Sequence, residues 1–240
     1  MQMRLDKLLA STGRWSRREV KELVRRGCVT VNGAAARSAE EKVDADCVSV
    51  SVDGEAVSYR EFTYIMLHKP SGILSATDDA RQRTVLDLLP RELQRRGLFP
   101  VGRLDKDTEG LLLLTNDGAL AHALLAPKKH VDKVYYAQTD GTLTQDDCDA
   151  FARGMTLADG LQCLPAELAI LHSGQTSEAL VTLREGKFHQ VKRMLAARGN
   201  TVTYLKRLQM GPLHLDERLA AGAYRELTEE ELEDLRRACR

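Results

Sequence analysis

Residues 102–118 read GRLDKDTEGLLLLTNDG, and the four leucines in succession decide how the larger part of the chain is built. Leu111 to Leu114 are bounded by Gly110 on one side and by Asn116-Asp117-Gly118 on the other. The simplest reading is a strand buried on both faces, closed by a turn at the Asn-Asp-Gly signal. Asp105 and Asp107 then lie in the loop that feeds the sheet. Loops held by a rigid strand carry a disproportionate share of catalytic groups. Gly, Asp and Thr are also ordinary turn formers, so composition alone leaves a solvated turn as the other reading.

Working outward, FTYIMLHKPSGILSA (62–76) reads as a buried strand, a Lys-Pro-Ser-Gly turn carrying Lys69, and a return strand. TVLDLLP (84–90) predicts a short helix ended by Pro90. In VYYAQT (134–139), Tyr135 and Tyr136 point to opposite faces of a strand. The run EGKFHQVKRML (185–195) predicts a helix. At about 100° per residue, Phe188, Val191 and Leu195 share its apolar side while His189, Lys192 and Arg193 form a separate stripe. TEEELEDLRRACR (228–240) opens with a Thr228–Glu231 capping box and predicts a final acidic surface helix.

The first 58 residues are of a different kind. Leu5, Leu8 and Leu9 fall at helical spacing before Gly13. A second helix follows in SRREVKELVRRG (16–27), where Ser16 and Glu19 form a capping box, Val20, Leu23 and Val24 the apolar stripe, and Arg17, Arg18, Lys21, Arg25 and Arg26 the remaining surface. CVTVNG (28–33) and CVSVSVDG (47–54) are alternating strands that end in turn signals. Such a unit is too thin for a cleft but suited to presenting a basic helix.

Charge points the same way. The net charge is zero, yet residues 1–37 hold nine basic and three acidic residues, and residues 187–207 hold six basic and none acidic. Residues 216–235, with eight acidic against two basic, offset one of these clusters. Local clusters set the potential a polyanion meets, so two basic surfaces suit RNA or DNA, although solvated helix faces would look alike. The amino terminus is charged from its fourth residue and no apolar run approaches about 18 residues, which predicts neither a signal peptide nor a membrane span and favours the cytoplasm. Five scattered cysteines and six dispersed histidines give no disulfide framework and no metal-ligand spacing.

Two stretches resemble known families. RLDKLLASTGRWSRREVKELVRRGCVTVNG (4–33) resembles the S4-like, or alpha-L, RNA-binding module, which implies that Arg17, Arg18, Lys21 and Arg25 contact RNA phosphates. GRLDKDTEGLLLLTNDG resembles the active-site motif of pseudouridine synthases of the RsuA group. HKPSG, KVYY (133–136) and EGKFHQVKRML resemble further motifs of that group, in the same order. The resemblance spans almost the whole chain. It implies that Asp105 is the essential carboxylate, that Tyr135 stacks on the target uracil, and that Lys192 is the cation paired with Asp105, with Arg193 competing for that role. It also implies that Arg103, Lys69 and Arg193 contact the RNA, and that Asp107 occupies a variable position. His189 stays outside the implied catalytic set. Lys128, Lys129 and Lys133 read as phosphate contacts or as a solubilising run.

The resemblance implies an α+β protein: an RNA-binding domain over 1–58, and over 59–240 a catalytic domain with a mixed, largely antiparallel sheet flanked by helices. It further implies an isomerase without metal or cofactor, acting as a monomer on folded ribosomal RNA. GKFHQVKRM and the segment after it resemble the small-subunit (16S) enzymes more than the large-subunit ones. A non-catalytic ribosome-associated RNA binder, with Asp105 structural, is the alternative of a different class.

Overall fold

In the computed structural model, residues 1–126, 129 and 131–239 are described. The chain forms two compact units, Met1–Thr63 with Leu89–Leu98, and Tyr64–Leu88 with Phe99–Arg240.

The first unit contains β1 (Gln2–Arg4), α1 (Leu5–Ser11), α2 (Arg17–Arg25), β2 (Val29–Val31), β3 (Ala34–Ala35), β4 (Lys42–Asp44), β5 (Val50–Val52), β6 (Glu55–Val57) and α3 (Arg91–Gln94). Leu5, Leu8 and Leu9 from α1 and Val20 from α2 bury against Val29, Val50 and Val52. The strands pair in the order β3-β2-β5-β6. Ser16 and Glu19 cap α2 reciprocally, as its sequence predicts. Arg17, Arg18, Lys21 and Arg25 are left exposed on that helix. Leu89–Leu98 belongs here for two reasons. Arg96 donates to the Thr12 carbonyl at 3.1 Å and to Thr63 Oγ1 at 2.6 Å. The Glu92 carbonyl also lies where a Cβ on Gly13 would sit, and Gly13 has φ +79°, so only glycine fits.

The second unit contains β7 (Tyr64–Lys69), a 3-10 turn (Val85–Leu88), β8 (Phe99–Pro100), β9 (Glu109–Thr115), α4 (Gly118–Leu125), β10 (Lys133–Asp140) and α5 (Gln145–Arg153). It continues with β11 (Met155–Thr156), β12 (Gln162–Cys163), β13 (Glu167–His172), β14 (Thr176–Leu183), α6 (Gln190–Ala197), β15 (Thr201–Met210), β16 (Leu213–His214), β17 (Tyr224–Glu226) and α7 (Glu229–Ala238). Among the described residues its main sheet has nine strands, in the order β13-β14-β10-β15-β9-β7-β17, with β8 on β9 and β16 on β15. Only β9 and β15 run parallel among these pairs, so the sheet is mixed and largely antiparallel, and the protein is α+β. Leu111 to Leu114 are all 0% exposed in β9, near the middle of that order. Leu111 and Leu113 pack with Met66, with Leu120 and Leu124 of α4, and with Leu232 and Leu235 of α7. At its entry β9 approaches β15 so closely that a Cβ on Gly110 would lie 2.2 Å from the Arg207 carbonyl oxygen.

Four local expectations are corrected. Asn116-Asp117-Gly118 closes the strand as a helix start rather than as a simple turn: the Asp117 side chain accepts from Leu120 N–H at 3.0 Å and caps α4. GILSA forms no return strand, only a bridge between Leu74 and Thr84. α6 begins at Gln190, so Phe188 and His189 precede it. α7 is capped by Thr228 and Glu231 as expected, but it buries Leu232 and Leu235 and is not simply a surface helix.

Candidate active site

Asp105 sits in the loop between β8 and β9, and that loop is tied from several sides. Ser75 accepts from Leu104 N–H at 3.1 Å and donates to the Leu104 carbonyl at 2.8 Å. Gly72 N–H donates to the Lys106 carbonyl at 2.8 Å, and Thr108 N–H to the Asp105 carbonyl at 3.1 Å. The Lys69 ammonium donates to the carbonyls of Pro70, Lys106 and Thr108 at 3.1, 3.0 and 2.8 Å. Asp105 is therefore bracketed by backbone oxygens held from below.

Lys69, implied above as an RNA contact, is not one. It is 0% exposed, at the end of a strand whose six residues are all buried. Its three donors are turned inward onto carbonyls, and burial pushes its ammonium down to about 8.

The Asp105 side chain is about a quarter exposed, and two nitrogens face it: the Lys192 ammonium, with Nζ 3.5 Å from Oδ2, and the His189 ring, with Nε2 3.5 Å from Oδ1. Lys192 leans further toward Asp107, at 2.6 Å. That hydrogen bond holds the exposed Asp107 carboxyl below the usual carboxylate range. Lys192 thus joins both aspartates, and Asp107 makes a contact that its variable place in the motif does not suggest. Arg193 is directed elsewhere, to Asp159 at 2.5 Å, so of the two adjacent cations Lys192 is the one at Asp105.

Tyr135 comes from β10, opposite Arg207 of β15, which in turn pairs with Gly110 of β9. The sheet register therefore brings the tyrosine to the end where the Asp105 loop enters. Tyr135 and Asp105 line one small cavity with Arg103, Thr108, His189 and Gln190. Beside it opens a cleft of about 640 Å³ lined by Arg103, Asp105, Lys106, Lys133, Phe188 and His189 among others. That volume falls within the roughly 300–1,000 Å³ of small-molecule sites. Arg103 is exposed at the junction of the two. Tyr136 turns away and meets Tyr204 edge-on at 6.1 Å.

His189 is the residue at this site that the sequence leaves out. Its backbone is left-handed (φ +51°, ψ +33°), and its ring stacks on Phe188 at 3.8 Å and 17°. Gly186 lies just ahead of that break, but the left-handed residue is His189 itself. Of the three lysines read as phosphate contacts or a solubilising run, Lys133 is buried and donates to the Val131 carbonyl at 2.7 Å, Lys129 is exposed, and Lys128 lies outside the described residues. Among the described residues no group of three His, Cys, Asp or Glu side chains could hold a metal ion, and no helix is long and apolar enough to cross a membrane.

The chain is similar to known proteins over nearly its whole length. Residues 63–197 match the family model described as RNA pseudouridylate synthase, and residues 3–46 match the S4 domain. A Bacillus subtilis protein named "Uncharacterized RNA pseudouridine synthase YtzG" is 54% identical, covering 96% of this chain and 97% of its own. The ribosomal small subunit pseudouridine synthase A of Pseudomonas aeruginosa is 41% identical, covering 96% and 99%. The ribosomal large subunit pseudouridine synthase B of Bacillus subtilis is 39% identical, covering 97% and 95%. A crystal structure of a pseudouridylate synthase is similar with a TM-score of 0.68 and 34% identity, covering 97% of this chain and 99% of that one.

Proposed function

Because the chain belongs to the RNA pseudouridylate synthase family, we propose that it isomerises a uridine of small-subunit (16S) ribosomal RNA, with Asp105 as the essential carboxylate, Lys192 as its cation and Tyr135 as the ring that stacks on the target uracil. The observation that carries this is the half-buried Asp105 side chain, tied to a strand-anchored loop, open to a nucleotide-sized cleft and facing Lys192 at 3.5 Å.

The reaction breaks the bond from uracil N1 to sugar C1′, turns the base, and joins C1′ to uracil C5. The C5 hydrogen leaves as a proton and N1 regains one, so no atoms are gained or lost overall. A carboxylate at the glycosidic bond can open this sequence as a nucleophile or as a base. Lys192 stabilises the charged carboxylate and fixes its direction, as a point contact rather than a two-pronged one. Tyr135 offers a flat face beside Asp105 to a uracil that enters from the larger cleft, and Arg103, which lines both cavities, holds the everted nucleotide. Eversion costs a few kcal/mol, least where the RNA is already looped, which favours an unpaired uridine in folded RNA or an assembly intermediate.

We assign the RNA-binding domain to residues 1–58 and the catalytic domain to 59–240 by sequence, with 59–63 and 89–98 packing as part of the first compact unit. Arg17, Arg18, Lys21 and Arg25 are the phosphate contacts of the first. Lys21 and Arg25 also pair with Glu40 and Glu22, at 3.3 and 2.8 Å, so Arg17 and Arg18 carry most of the assignment. We place the protein in the cytoplasm as a monomer.

The small-subunit choice rests on GKFHQVKRM and on the relatives named for that subunit. The 39% identical relative named for the large subunit favours the second reading. Mapping pseudouridine in ribosomal RNA from cells lacking this protein separates them. One position lost from 16S RNA is the expected result, and a loss confined to the large-subunit RNA would overturn the choice. Within the protein, Lys192→Ala should lower turnover more than RNA affinity. Replacing Arg17 and Arg18 by alanine should weaken affinity and flatten its salt dependence by about one unit for each phosphate no longer neutralised. Titrating RNA at several salt concentrations alongside turnover checks this; equal effects on both quantities would refute the division.

A further inference from the structure

Phe188 is 71% exposed, more than any other large hydrophobic side chain among the described residues. The helical pattern places it on the apolar side of α6, but it precedes that helix and leaves the core altogether. A singly exposed apolar residue is ordinary. This one is held in a particular place. One face of its ring is covered by His189 at 3.8 Å and 17°. His189 in turn adopts a left-handed backbone, uncommon outside glycine and a conformation that clusters at functional sites, and its Nε2 lies 3.5 Å from Asp105 Oδ1.

The two cavities divide the work. Tyr135 lines the inner one and Phe188 does not, whereas Phe188 lines the outer cleft and Tyr135 does not; His189 and Asp105 line both. Among the described residues that line the outer cleft Asp105 is the only acidic one, beside the exposed Arg103 and Lys106; Lys133 also lines it but is buried and turned onto the Val131 carbonyl. An aromatic ring among cations is the arrangement that recognises unstacked nucleotides, with bases on the ring and phosphates on the charges. Everting a uridine also deprives its neighbours of a stacking partner.

We infer that Phe188, braced by His189, is a stacking platform for the base adjacent to the target uridine, so that Tyr135 and Phe188 hold two successive bases and aim the glycosidic bond at Asp105. This rests on the isomerase reading above and adds a positioning residue to it.

The test uses the full-length protein and ribosomal RNA of both subunits or their assembly intermediates, tritiated at uracil C5, with release of label to water as the readout. Phe188→Ala should raise the KM for RNA by about 5- to 150-fold, the range of one base–aromatic stack, with kcat within about threefold and the thermal midpoint unchanged. Phe188→Tyr and Phe188→Trp should stay within about threefold of native. The chain has a single tryptophan, Trp15, so the indole introduced by Phe188→Trp gives a second fluorescence signal, expected to be quenched when RNA binds. A native KM in Phe188→Ala would overturn the inference. So would a loss confined to kcat, a loss as large in Phe188→Tyr as in Phe188→Ala, or an unquenched indole. If native protein releases no label from any of these RNAs, the isomerase reading fails and the platform with it. If native protein releases label and Phe188→Ala matches it, only the platform fails.

Discussion

Asp105→Asn is expected to lower turnover by at least about 10⁴-fold while leaving RNA affinity within a few-fold. Asparagine keeps the shape of the side chain, and the loop ties to Ser75, Lys69 and Gly72 all run through backbone atoms of residues 104, 106 and 108, so they survive the change. What disappears is the charge that faces Lys192 and the oxygen that meets the nucleoside. The check is the number of pseudouridines per RNA after prolonged incubation, measured with the RNA dissociation constant. A fall in affinity as large as the fall in turnover would show instead that Asp105 serves binding or the loop's shape.

Lys69→Met should cost about 2–4 kcal/mol of stability, with turnover reduced in the protein that still folds. The ammonium satisfies three inward carbonyls, and a buried acceptor left without its donor costs about 1–3 kcal/mol. The Lys106 carbonyl keeps its bond from Gly72 N–H, which brings the total below three full penalties. The sign with pH is definite. Burial lowers the folded ammonium to about 8 against an ordinary value of 10.5. Between those values the unfolded chain binds more protons, so the Lys69 contribution to stability rises as pH rises through that window. Chemical denaturation of native and Lys69→Met protein at pH 7 and pH 9.5 should show the gap between them widening at the higher pH. A gap that narrows, or a variant as stable as native, would refute the role of Lys69 as a buried tie.

The sequence makes the frame legible wherever the signal is local. Four leucines without polar alternation mark a strand covered on both faces, and the Ser16–Glu19 and Thr228–Glu231 pairs mark two helix starts. The Asp105 loop is readable because its motif is contiguous, and Lys192 through the resemblance carried by EGKFHQVKRML, since the helical stripe alone does not separate it from Arg193. What stays hidden depends on partners far along the chain. Lys69 reads as a turn lysine until the carbonyls of residues 106 and 108 are brought beneath it. Asp117 serves equally as a turn former and as a helix cap, and only the hydrogen bond from Leu120 N–H decides between them. The start of α6 is hidden because Lys187 N–H donates to Gln190 and Gln190 to Glu185, a closed local network around Gly186 that keeps 187–189 out of the helix. That same break turns His189 toward Asp105 and Phe188 outward, so the residues least legible in the sequence are those beside the cleft.

The most direct measurement is single-turnover release of tritium from uracil C5 of ribosomal RNA, run side by side for native protein and Asp105→Asn, with pseudouridine counted in the same samples. Native protein should release one label for each pseudouridine formed, and Asp105→Asn neither. Equal release from the two proteins, or none from native protein on naked ribosomal RNA and on assembly intermediates alike, would remove the carboxylate from the chemistry.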